Sequence, residues 1–387
     1  MLDVAIVGGG PAGLHTGALL ARAGFAVTVF EEHPAVGQPA HCTGVLADDA
    51  FNEFALPRSC ALNVLSTARF VSPSGTQLAY TTPRTEAVVI DRPALDRAMA
   101  EEAMNAGVRI RVGQRVRQLD PQPGHMRLTL DGGEIVESRA AVLACGASYS
   151  LQRRLGMGLP AVALNSAQVE APAGRTGDVE LHFGNEIAPG GFAWTVPVSR
   201  PTGLFVRIGL MSEGDAVAFF DRFLSRVARS WGVPAEAVTA PRRRYLPLAA
   251  LNRTFAERLL VVGDAAGMVK PTTGGGIYYS LVSARLAAET LVPALTDDRL
   301  DAGTLGQYQR RWRERFTPEF RAQLALRMLA QRLTDAEIDS FFDLARTNGI
   351  MPLVRRTATF NQHRHLIAEL FRYAPARELL FRRLMTV

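Results

Sequence analysis

The chain opens with a short apolar run, a glycine turn and a longer segment whose apolar positions recur at helical spacing. The run "VAIV" at residues 4–7 predicts a buried strand, and the helix after "GGGPAG" is expected to end near Ala23. The run "AVTVFE" predicts a second strand, and "RLLVVGDAAG" repeats the buried-strand pattern near residue 260. Apolar strands separated by helices indicate a parallel sheet that is covered on both faces.

A different pattern fills the middle of the chain. The segments "AVALNSAQVEA", "DVELHF", "FAWTVPV" and "LFVRIGL" predict antiparallel strands, and "ARFVSPSGTQLAY" predicts a hairpin. A further hairpin is expected at "MRLTLDGGEIVES" and a separate buried strand at "AAVLACGA". Because the antiparallel material interrupts the parallel pattern, we expect a second domain inserted into the first. Beyond residue 304 the pattern is helical, with a break at "TNGIMP".

Composition narrows the class of protein. A chain of 387 residues is longer than one typical core requires. Its three cysteines, Cys42, Cys60 and Cys145, have neither metal-ligand nor disulfide-framework spacing, so we expect no metal and a reducing compartment, the cytoplasm. Glycines interrupt the uncharged run at residues 4–21, which therefore fits neither a signal peptide nor a membrane span well.

The first strand leads into a phosphate-binding signature. The motif G-x-G-x-x-G comprises Gly8, Gly10 and Gly13, with Pro11 and Ala12 between the last two glycines. Small residues here let backbone amides approach a pyrophosphate at the helix N-terminus. Glu31 follows at the end of the second strand, where a carboxylate can accept hydrogen bonds from ribose hydroxyls. Together they predict a dinucleotide site.

A second strand-turn-helix unit distinguishes between dinucleotides. It carries Gly263 and Asp264 in "VVGDAAG", followed by Gly275, Gly276 and Ile277 in "KPTTGGGI". An NAD-only domain does not need this unit, whereas an FAD protein uses it to hold the ribityl chain and flavin ring. Asp264 would accept from a ribityl hydroxyl, and the amides around Gly275 would stabilise negative charge on a reduced flavin. FAD is therefore the expected cofactor.

These motifs together make a family resemblance specific. "GGGPAG", "IDRPALDRAMAEEAMNAGV", "ACGASYSLQRRLG" and "GDAAGMVKPTTGGGI" resemble the FAD-dependent superfamily of p-hydroxybenzoate hydroxylase. Within it, "VGQPAHCTGVL", "PGGFAWTVP" and the helical tail are similar to the geranylgeranyl reductase family. The resemblance implies that Arg92 contacts FAD, that Gly146 lies close to it, and that Cys42 lines the active site as a cofactor-binding residue of the flavin pocket.

The resemblance also implies an activity. Members of the family reduce carbon–carbon double bonds of a prenyl, geranylgeranyl-type chain by hydride transfer from N5 of the reduced flavin, together with protonation. The superfamily usually has Asp-Gly where this chain has Cys145 and Gly146, which leaves the reductant open between NADPH and a ferredoxin-type donor protein. An FAD-dependent monooxygenase and an electron-transferring FAD protein are the alternative classes.

The fold class expected on this basis is α/β with an α+β second domain. We expect a discontinuous, Rossmann-like FAD-binding domain at residues 1–65, 88–160 and 245–300. The inserted substrate-binding sheet would comprise residues 66–87 and 161–244, and the C-terminal helical region residues 301–387.

The aromatic strand "PGGFAWTVP" is the expected wall of a substrate tunnel. Phe192 and Trp194 alternate with their neighbours, so their rings should share one face of the sheet. By resemblance they line an apolar tunnel with Pro197, although spacing alone favours ordinary core. Tyr278 and Tyr279 could supply further π faces to a cationic intermediate.

Three other residues are candidates for the chemistry at the substrate. Cys42 and His41 are the expected catalytic pair, although Cys42 could instead shape the pocket or relay a proton from water, because a free thiol is a weak acid for protonating an olefin. Lys270, the only lysine in the chain, could bind an anionic head group, or could simply flank a helix.

The basic excess points to possible contacts outside the active site. The net charge of +6 arises wholly from residues after 300. We expect a prenyl-chain small molecule or lipid as substrate and no nucleic acid as a partner. The tail "LIAELFRYAPARELLFRRLMTV" could rest on a membrane surface, and packing on its own domain is the alternative that we favour.

Overall fold

The computed structural model describes residues 1–39, 42–347 and 349–382, and His41 lies outside them. The strands are β1 (Leu2–Val7), β2 (Val27–Phe30), β3 (Val45–Ala47), β4 (Ala61–Leu65), β5 (Thr67–Val71), β6 (Gln77–Thr81), β7 (Ala87–Ile90), β8 (Arg109–Arg111), β9 (Val116–Gln122), β10 (His125–Leu130), β11 (Ile135–Leu143), β12 (Ala163–Pro172), β13 (Val179–His182), β14 (Phe192–Arg200), β15 (Gly203–Ser212), β16 (Arg242–Pro247), β17 (Phe255–Ala256) and β18 (Leu259–Val261).

The α-helices are α1 (Pro11–Arg22), α2 (Asp49–Glu53), α3 (Arg92–Asn105), α4 (Ser150–Arg154), α5 (Ala216–Trp231), α6 (Ile277–Thr296), α7 (Ala302–Ala330), α8 (Asp335–Arg346), α9 (Met351–Thr357), α10 (Arg364–Arg372) and α11 (Ala374–Phe381).

The first sheet is the expected parallel sheet. Its order is β17-β18-β11-β1-β2-β8, and β1, β2, β8, β11 and β18 pair in parallel. The predicted hairpin is formed by β10 and β11, but β11 continues without a break into the run that the sequence analysis treated as a separate strand. Strand β11 thus joins the hairpin to the centre of the sheet.

The turn from β1 to α1 is built on two close approaches of the backbone. Gly8 has a φ of +110°, and a Cβ there would lie 2.4 Å from the carbonyl oxygen of Ala144. A Cβ on Gly13 would lie 2.1 Å from the carbonyl oxygen of Gly8. Pro11 stands in the first turn of the helix, where its missing N–H costs no hydrogen bond.

The second sheet contains seven strands in the order β16-β12-β15-β14-β13-β5-β6. It unites the hairpin at residues 67–81 with the later antiparallel strands through a parallel pair of β5 and β13. The fold class predicted from the sequence is confirmed. The domain boundaries stay a prediction, and β16 crosses the one placed between residues 244 and 245.

Helix α5 is an element that the sequence analysis missed. It covers one face of the second sheet with the buried side chains of Phe220, Phe223, Val227 and Trp231. Their spacing of three and four residues is the helical signal, and the Asp215 carboxylate caps the helix by accepting from the amide of Val217. With one face covered, the other face is free to form the site.

A third sheet, β3-β7-β4, and the C-terminal helices complete the fold. Helix α7 packs against α6 and β17, α10 packs on α7, and α8 contacts β6. The C-terminal helices therefore reach both larger sheets. Among the described helices, none combines the length and the apolar character needed to cross a membrane.

Candidate active site

A cavity of about 1090 Å³ lies between the two larger sheets and the C-terminal helices. It begins at the turn from β1 to α1 and reaches the free face of the second sheet. The expected site residues that line it are Gly8, Gly10, Pro11, Ala12, Glu31, Cys42, Arg92, Gly146, Phe192, Trp194, Asp264, Lys270, Gly275, Gly276, Ile277 and Tyr278. The structure thus brings both halves of the expected site into one space.

Two expected cofactor residues lie behind the cavity wall. Gly13 packs against the backbone of Gly8, as described above. Gly263 has a φ of +61°, and a Cβ there would lie 2.9 Å from the Cβ of Ala12. At both positions a neighbouring segment packs directly against the backbone and leaves no room for a side chain. Neither glycine lines the space that is available to a ligand.

Two expected substrate residues also lie away from the cavity. Pro197 occupies the opposite face of β14 from Phe192 and Trp194, because side chains alternate along a strand. Tyr279 is 2% exposed, packs on Phe316, and donates from its hydroxyl to the carbonyl of Asn361 at 2.6 Å. The structure places Tyr279 in the hydrophobic core.

The dinucleotide end of the cavity has the space and donors that FAD requires. The Glu31 carboxylate accepts from the amide of Gly9 at 2.8 Å, which holds it beside the glycine turn. A Cβ on Gly10 would meet no protein atom within 4 Å, so the turn leaves an open cradle for phosphate. The observed cradle therefore fits a pyrophosphate and its ribose.

The second strand-turn-helix unit has the same tight construction. A Cβ on Gly276 would lie 2.6 Å from Oδ1 of Asp264, so only glycine lets the turn lie against this carboxylate. Burial raises the pKa of Asp264, while Arg92 and Arg244 oppose that rise. Tyr149 fixes the backbone by donating to the carbonyl of Asp264 at 2.6 Å. Asp264 is thus held where a ribityl hydroxyl can donate to it.

Arg92 connects the cofactor residues to Cys42. Its Nε donates to Asp96 at 2.9 Å across one turn of α3. Burial alone would lower the pKa of Arg92, but Asp96 and the side chain of Cys42 raise it above the ordinary range. The same guanidinium also opposes the rise in the pKa of Asp264 that burial causes, and Cys42, Arg92 and Asp264 all line the one cavity.

The loop that carries Cys42 is held by a buried arginine of the second sheet. Arg207 is 4% exposed and donates to the carbonyls of Thr43 at 2.8 Å and Ile90 at 3.1 Å. A Cβ on Gly44 would lie 2.1 Å from the Arg207 guanidinium, and Gly44 has a φ of +71°. The cysteine-glycine turn is therefore shaped to admit this guanidinium.

Glu170 balances the charge of Arg207. Its carboxylate accepts from Arg207 at 2.8 Å and from Arg200 at 2.9 Å. Burial alone would raise the pKa of Glu170, but the two guanidinium groups lower it. Arg200 also donates to Asp91, at the start of α3, at 2.7 Å. This network joins the second sheet to the domain that carries the dinucleotide cradle.

Gln168 links the Cys42 loop to the aromatic wall. Its Nε2 donates to the carbonyl of Cys42, and its Oε1 accepts from Thr43 Oγ1 and from Trp194 Nε1, each at 3.1 Å. Gln168, Gly209 and Trp194 are directly opposite one another on three neighbouring strands. A Cβ on Gly209 would lie 2.7 Å from the indole, so glycine there lets the ring cross to Gln168.

The substrate end of the cavity is aromatic and apolar. The rings of Phe192 and Trp194 meet edge to face at 5.8 Å, and Phe183 lies 6.0 Å from Phe192. The wall continues across to the C-terminal helices, where Phe342 lies 6.1 Å from Phe183. Apolar walls of this kind bind hydrocarbon chains through burial of methylene groups.

Lys270 lies in the cavity wall and is 4% exposed. Its Nζ donates to the carbonyl of Phe360 at 2.8 Å and lies 4.1 Å from the centre of that ring. Burial lowers the pKa of Lys270 from 10.5 to about 7, with Asp49 and Glu319 opposing the change. The charged groups at this site thus include a lysine that titrates near neutrality.

The other two cysteines have different surroundings from Cys42. Cys60 is 2% exposed and donates to the carbonyl of Pro57, and burial raises its thiol pKa to about 11. Burial likewise raises the pKa of Cys145 to about 11. Neither thiol is poised to ionise near neutral pH.

Sequence reasoning missed Gln168 and Arg207. Each lies in a strand in which polar and apolar residues alternate. That alternation does not distinguish a polar residue that faces solvent from one that contacts another segment of the protein. No local motif marks either residue. Their contacts with the Cys42 loop become evident only once the two domains are packed together.

The fold and cavity define a flavin-dependent oxidoreductase with an apolar substrate chamber. The family model described as lycopene cyclase protein matches residues 3–348. The chain belongs to this family. Its relatives include digeranylgeranylglycerophospholipid reductases, so the resemblance to geranylgeranyl reductases is confirmed and the enzyme is an FAD-dependent reductase.

Two of these relatives align over most of their length. Digeranylgeranylglycerophospholipid reductase 2 of Methanothermobacter thermautotrophicus is 29% identical over 359 residues, covering 87% of this chain and 90% of that protein. The digeranylgeranylglycerophospholipid reductase of Methanoculleus marisnigri is 31% identical over 333 residues, covering 80% of this chain and 81% of that protein.

Solved structures show the same fold. A geranylgeranyl bacteriochlorophyll reductase-like protein from Thermoplasma acidophilum superposes with a TM-score of 0.83 at 20% identity, covering 99% of this chain and 98% of that one. A point mutant of the halogenase PltM in complex with FAD gives a TM-score of 0.68 at 17% identity, covering 98% of this chain and 85% of that one.

Gly10→Ala is expected to weaken FAD binding without disturbing the apoprotein. The added methyl group meets no protein atom, so its cost falls on the phosphate that the cradle holds. A steric cost of about 1–3 kcal/mol corresponds to a rise in Kd of about fivefold to more than about a hundredfold. Fluorescence titration of the apoprotein with FAD measures it. Gly174→Ala is the matched control, because this glycine lies away from the cavity and an added Cβ would make an ordinary contact with Gly232 at 3.5 Å. Unchanged affinity in Gly10→Ala would contradict the assignment.

Lys270→Met is expected to change the pH dependence of stability. Between pH about 7 and about 10 the unfolded chain binds a proton at this lysine that the folded chain has lost, so wild-type stability rises with pH. The variant lacks this contribution. The free energy of unfolding, measured by urea denaturation across that window, should therefore rise with pH more steeply in the wild type than in the variant. Parallel pH profiles for the two proteins would refute the expectation.

Gln168→Met is expected to release the Cys42 loop. It removes three hydrogen bonds while keeping a similar volume, at a cost of about 2 kcal/mol in stability. Alkylation of Cys42, mapped by mass spectrometry, should become about tenfold faster. Gln168→Glu keeps the two acceptor contacts and should lie closer to wild type. Gln114→Met, at another cavity glutamine, is the control; equal alkylation rates in all four proteins would argue against the link.

Proposed function

We propose that the protein reduces carbon–carbon double bonds of a geranylgeranyl-type prenyl chain. One observation carries the proposal: a single cavity joins the dinucleotide cradle to an aromatic and apolar chamber, with Cys42 on its wall. The relatives named as digeranylgeranylglycerophospholipid reductases support a prenyl lipid as substrate.

The reaction adds one hydride and one proton across each double bond. When bound and reduced, FAD supplies the hydride and the two electrons that it carries. Hydride addition alone to an unactivated double bond would leave a carbanion, so protonation must precede or accompany it. The task left to this chain's own residues is to deliver the proton and to stabilise positive charge on the prenyl carbon.

Cys42 is the proposed proton donor or relay. Its thiol lies beside the Arg92 guanidinium, whose positive charge would stabilise the thiolate left when the proton departs. Gln168 donates to the carbonyl of Cys42 itself, and Arg207 donates to that of the next residue, Thr43. The loop therefore presents the cysteine in a fixed position, as proton transfer requires. His41 remains a second proposed participant and lies outside the described residues.

The aromatic wall is proposed to stabilise the carbocation. Phe192 and Trp194 present adjoining rings to the cavity, and Tyr278 contributes a third. A π face attracts a cation most strongly where water is excluded. The indole N–H of Trp194 is occupied by Gln168, so this ring offers the cavity its π system rather than a competing donor.

The electron donor stays a prediction between NADPH and a ferredoxin-type protein. Cys145 beside Gly146, in place of the superfamily's aspartate, motivates the second choice. Contact with a membrane surface also stays a prediction, supported by the basic excess after residue 300 and by the lipid substrates of the named relatives.

Anaerobic incubation with chemically reduced FAD and a geranylgeranyl lipid should add about two mass units per double bond, as mass spectrometry of the product reports. Cys42→Ala should lower turnover by about a hundredfold or more, because general acid catalysis contributes about that much. The FAD content of both proteins is measured alongside, so that a loss of cofactor is distinguished from the loss of a proton donor.

Cys60→Ala is the matched control, because this thiol is buried away from the cavity, and it should retain turnover. Full turnover by Cys42→Ala with normal FAD content would remove the catalytic role of the cysteine. A gain of about sixteen mass units in air, with none of two under anaerobic conditions, would identify a monooxygenase instead.

A further inference from the structure

The cavity reaches solvent between the loop after β13 and the end of α7. Three residues of its wall are exposed there: Asn185, Ala330 and Gln331. Asn185 joins the two sides, since its side-chain amide donates to the carbonyl of Leu333 at 2.9 Å and its backbone amide donates to Asp335 at 2.7 Å. This mouth is therefore a built opening with a hydrogen-bonded rim.

Arg327 lies one helical turn inside this mouth. It precedes Ala330 and Gln331 by three and four residues, so it shares their side of the helix, and it lines the cavity. The side chain is buried, with 7% exposure. Its Nη2 donates to the carbonyl of Gly190 at 3.1 Å, and it forms no ion pair with a carboxylate of the described residues.

A buried guanidinium without a counter-ion is costly. It carries five N–H donors, and a neutral carbonyl satisfies only part of that capacity. Burial lowers the pKa of Arg327 to about 10, which still leaves it cationic at neutral pH. Glu213, whose carboxylate lies beside Gly190, opposes the change without forming an ion pair with Arg327. The wall around it is apolar, with Leu326 and Phe342. An anionic group in the mouth would complete the site.

We infer that Arg327 binds the phosphate of a phosphorylated prenyl lipid at this mouth, while the chain extends along β14 towards Trp194. Gly190, which Arg327 contacts, precedes Trp194 by four residues, which separates the two backbones by at most about 13 Å, a distance that a geranylgeranyl chain can span. The inference rests on the proposed function for the identity of the chain. The inferred head-group site is distinct from Lys270, whose Nζ already donates to the carbonyl of Phe360.

Binding of saturated analogues tests the inference independently of reduction. The FAD-loaded protein is titrated in one detergent with phytanol, phytanyl phosphate, phytanyl diphosphate and diphytanyl glycerophosphate, none of which has a double bond to reduce. Arg327→Gln, which keeps a donor for Gly190 but removes the charge, should weaken binding of the phosphates at least about tenfold and leave phytanol unchanged.

Two further variants control for charge and folding. Arg327→Lys keeps the charge but not the forked donors and should fall between Arg327→Gln and wild type. Arg332→Gln removes an exposed positive charge two residues beyond α7 and should bind like the wild type. Circular dichroism and FAD content check that each variant is folded; if Arg327→Gln is not, the comparison rests on Arg327→Lys.

The outcomes separate the possible explanations. Equal weakening of phytanol and phosphates would show that Arg327 only shapes the Gly190 turn and would overturn the inference, as would unchanged phosphate binding. A loss confined to the diphosphate identifies a free prenyl diphosphate as the source of the anion, and a loss confined to the glycerophosphate identifies a phospholipid. Phosphate-selective binding by a protein that reduces no prenyl lipid would uphold the head-group site while rejecting the proposed function.

Discussion

The buried guanidinium of Arg207 is the contact on which the arrangement of the site depends. It extends from the middle of the second sheet into the turn after Cys42 and bonds to carbonyls from two segments of the other domain. Glu170 supplies its counter-charge from the neighbouring strand. A cation buried without that carboxylate would cost several kcal/mol, so this contact holds the second sheet and the Cys42 loop at one relative position.

The same face of the sheet places the aromatic wall. Gln168, Gly209 and Trp194 form a row across three strands, and the absence of a side chain at Gly209 lets the indole reach the glutamine. The next row along the strands pairs Glu170 with Arg207. The first row thus positions the aromatic wall, and the second positions the loop that carries Cys42. A small register error in this sheet would displace both at once.

The sequence predicted the parallel sheet, the inserted antiparallel strands and most of the dinucleotide cradle, because those depend on local periodicity and on a motif. It predicted the shared face of Phe192 and Trp194 for the same reason. It placed Pro197 and Tyr279 at the substrate, yet strand alternation turns the first away and helix packing buries the second. Gln168, Arg207 and Arg327 went unrecognised because their roles arise from contacts between segments more than 100 residues apart.

The identity of the cavity's lysine has a practical consequence for observing the protein. Lys270 is the only lysine in the sequence, so isotope-labelled lysine for NMR spectroscopy would enter the chain at this single position. That position lies in the cavity wall and bonds to the segment before α10. One resonance, free of overlap, would then report the filling and emptying of the chamber in real time.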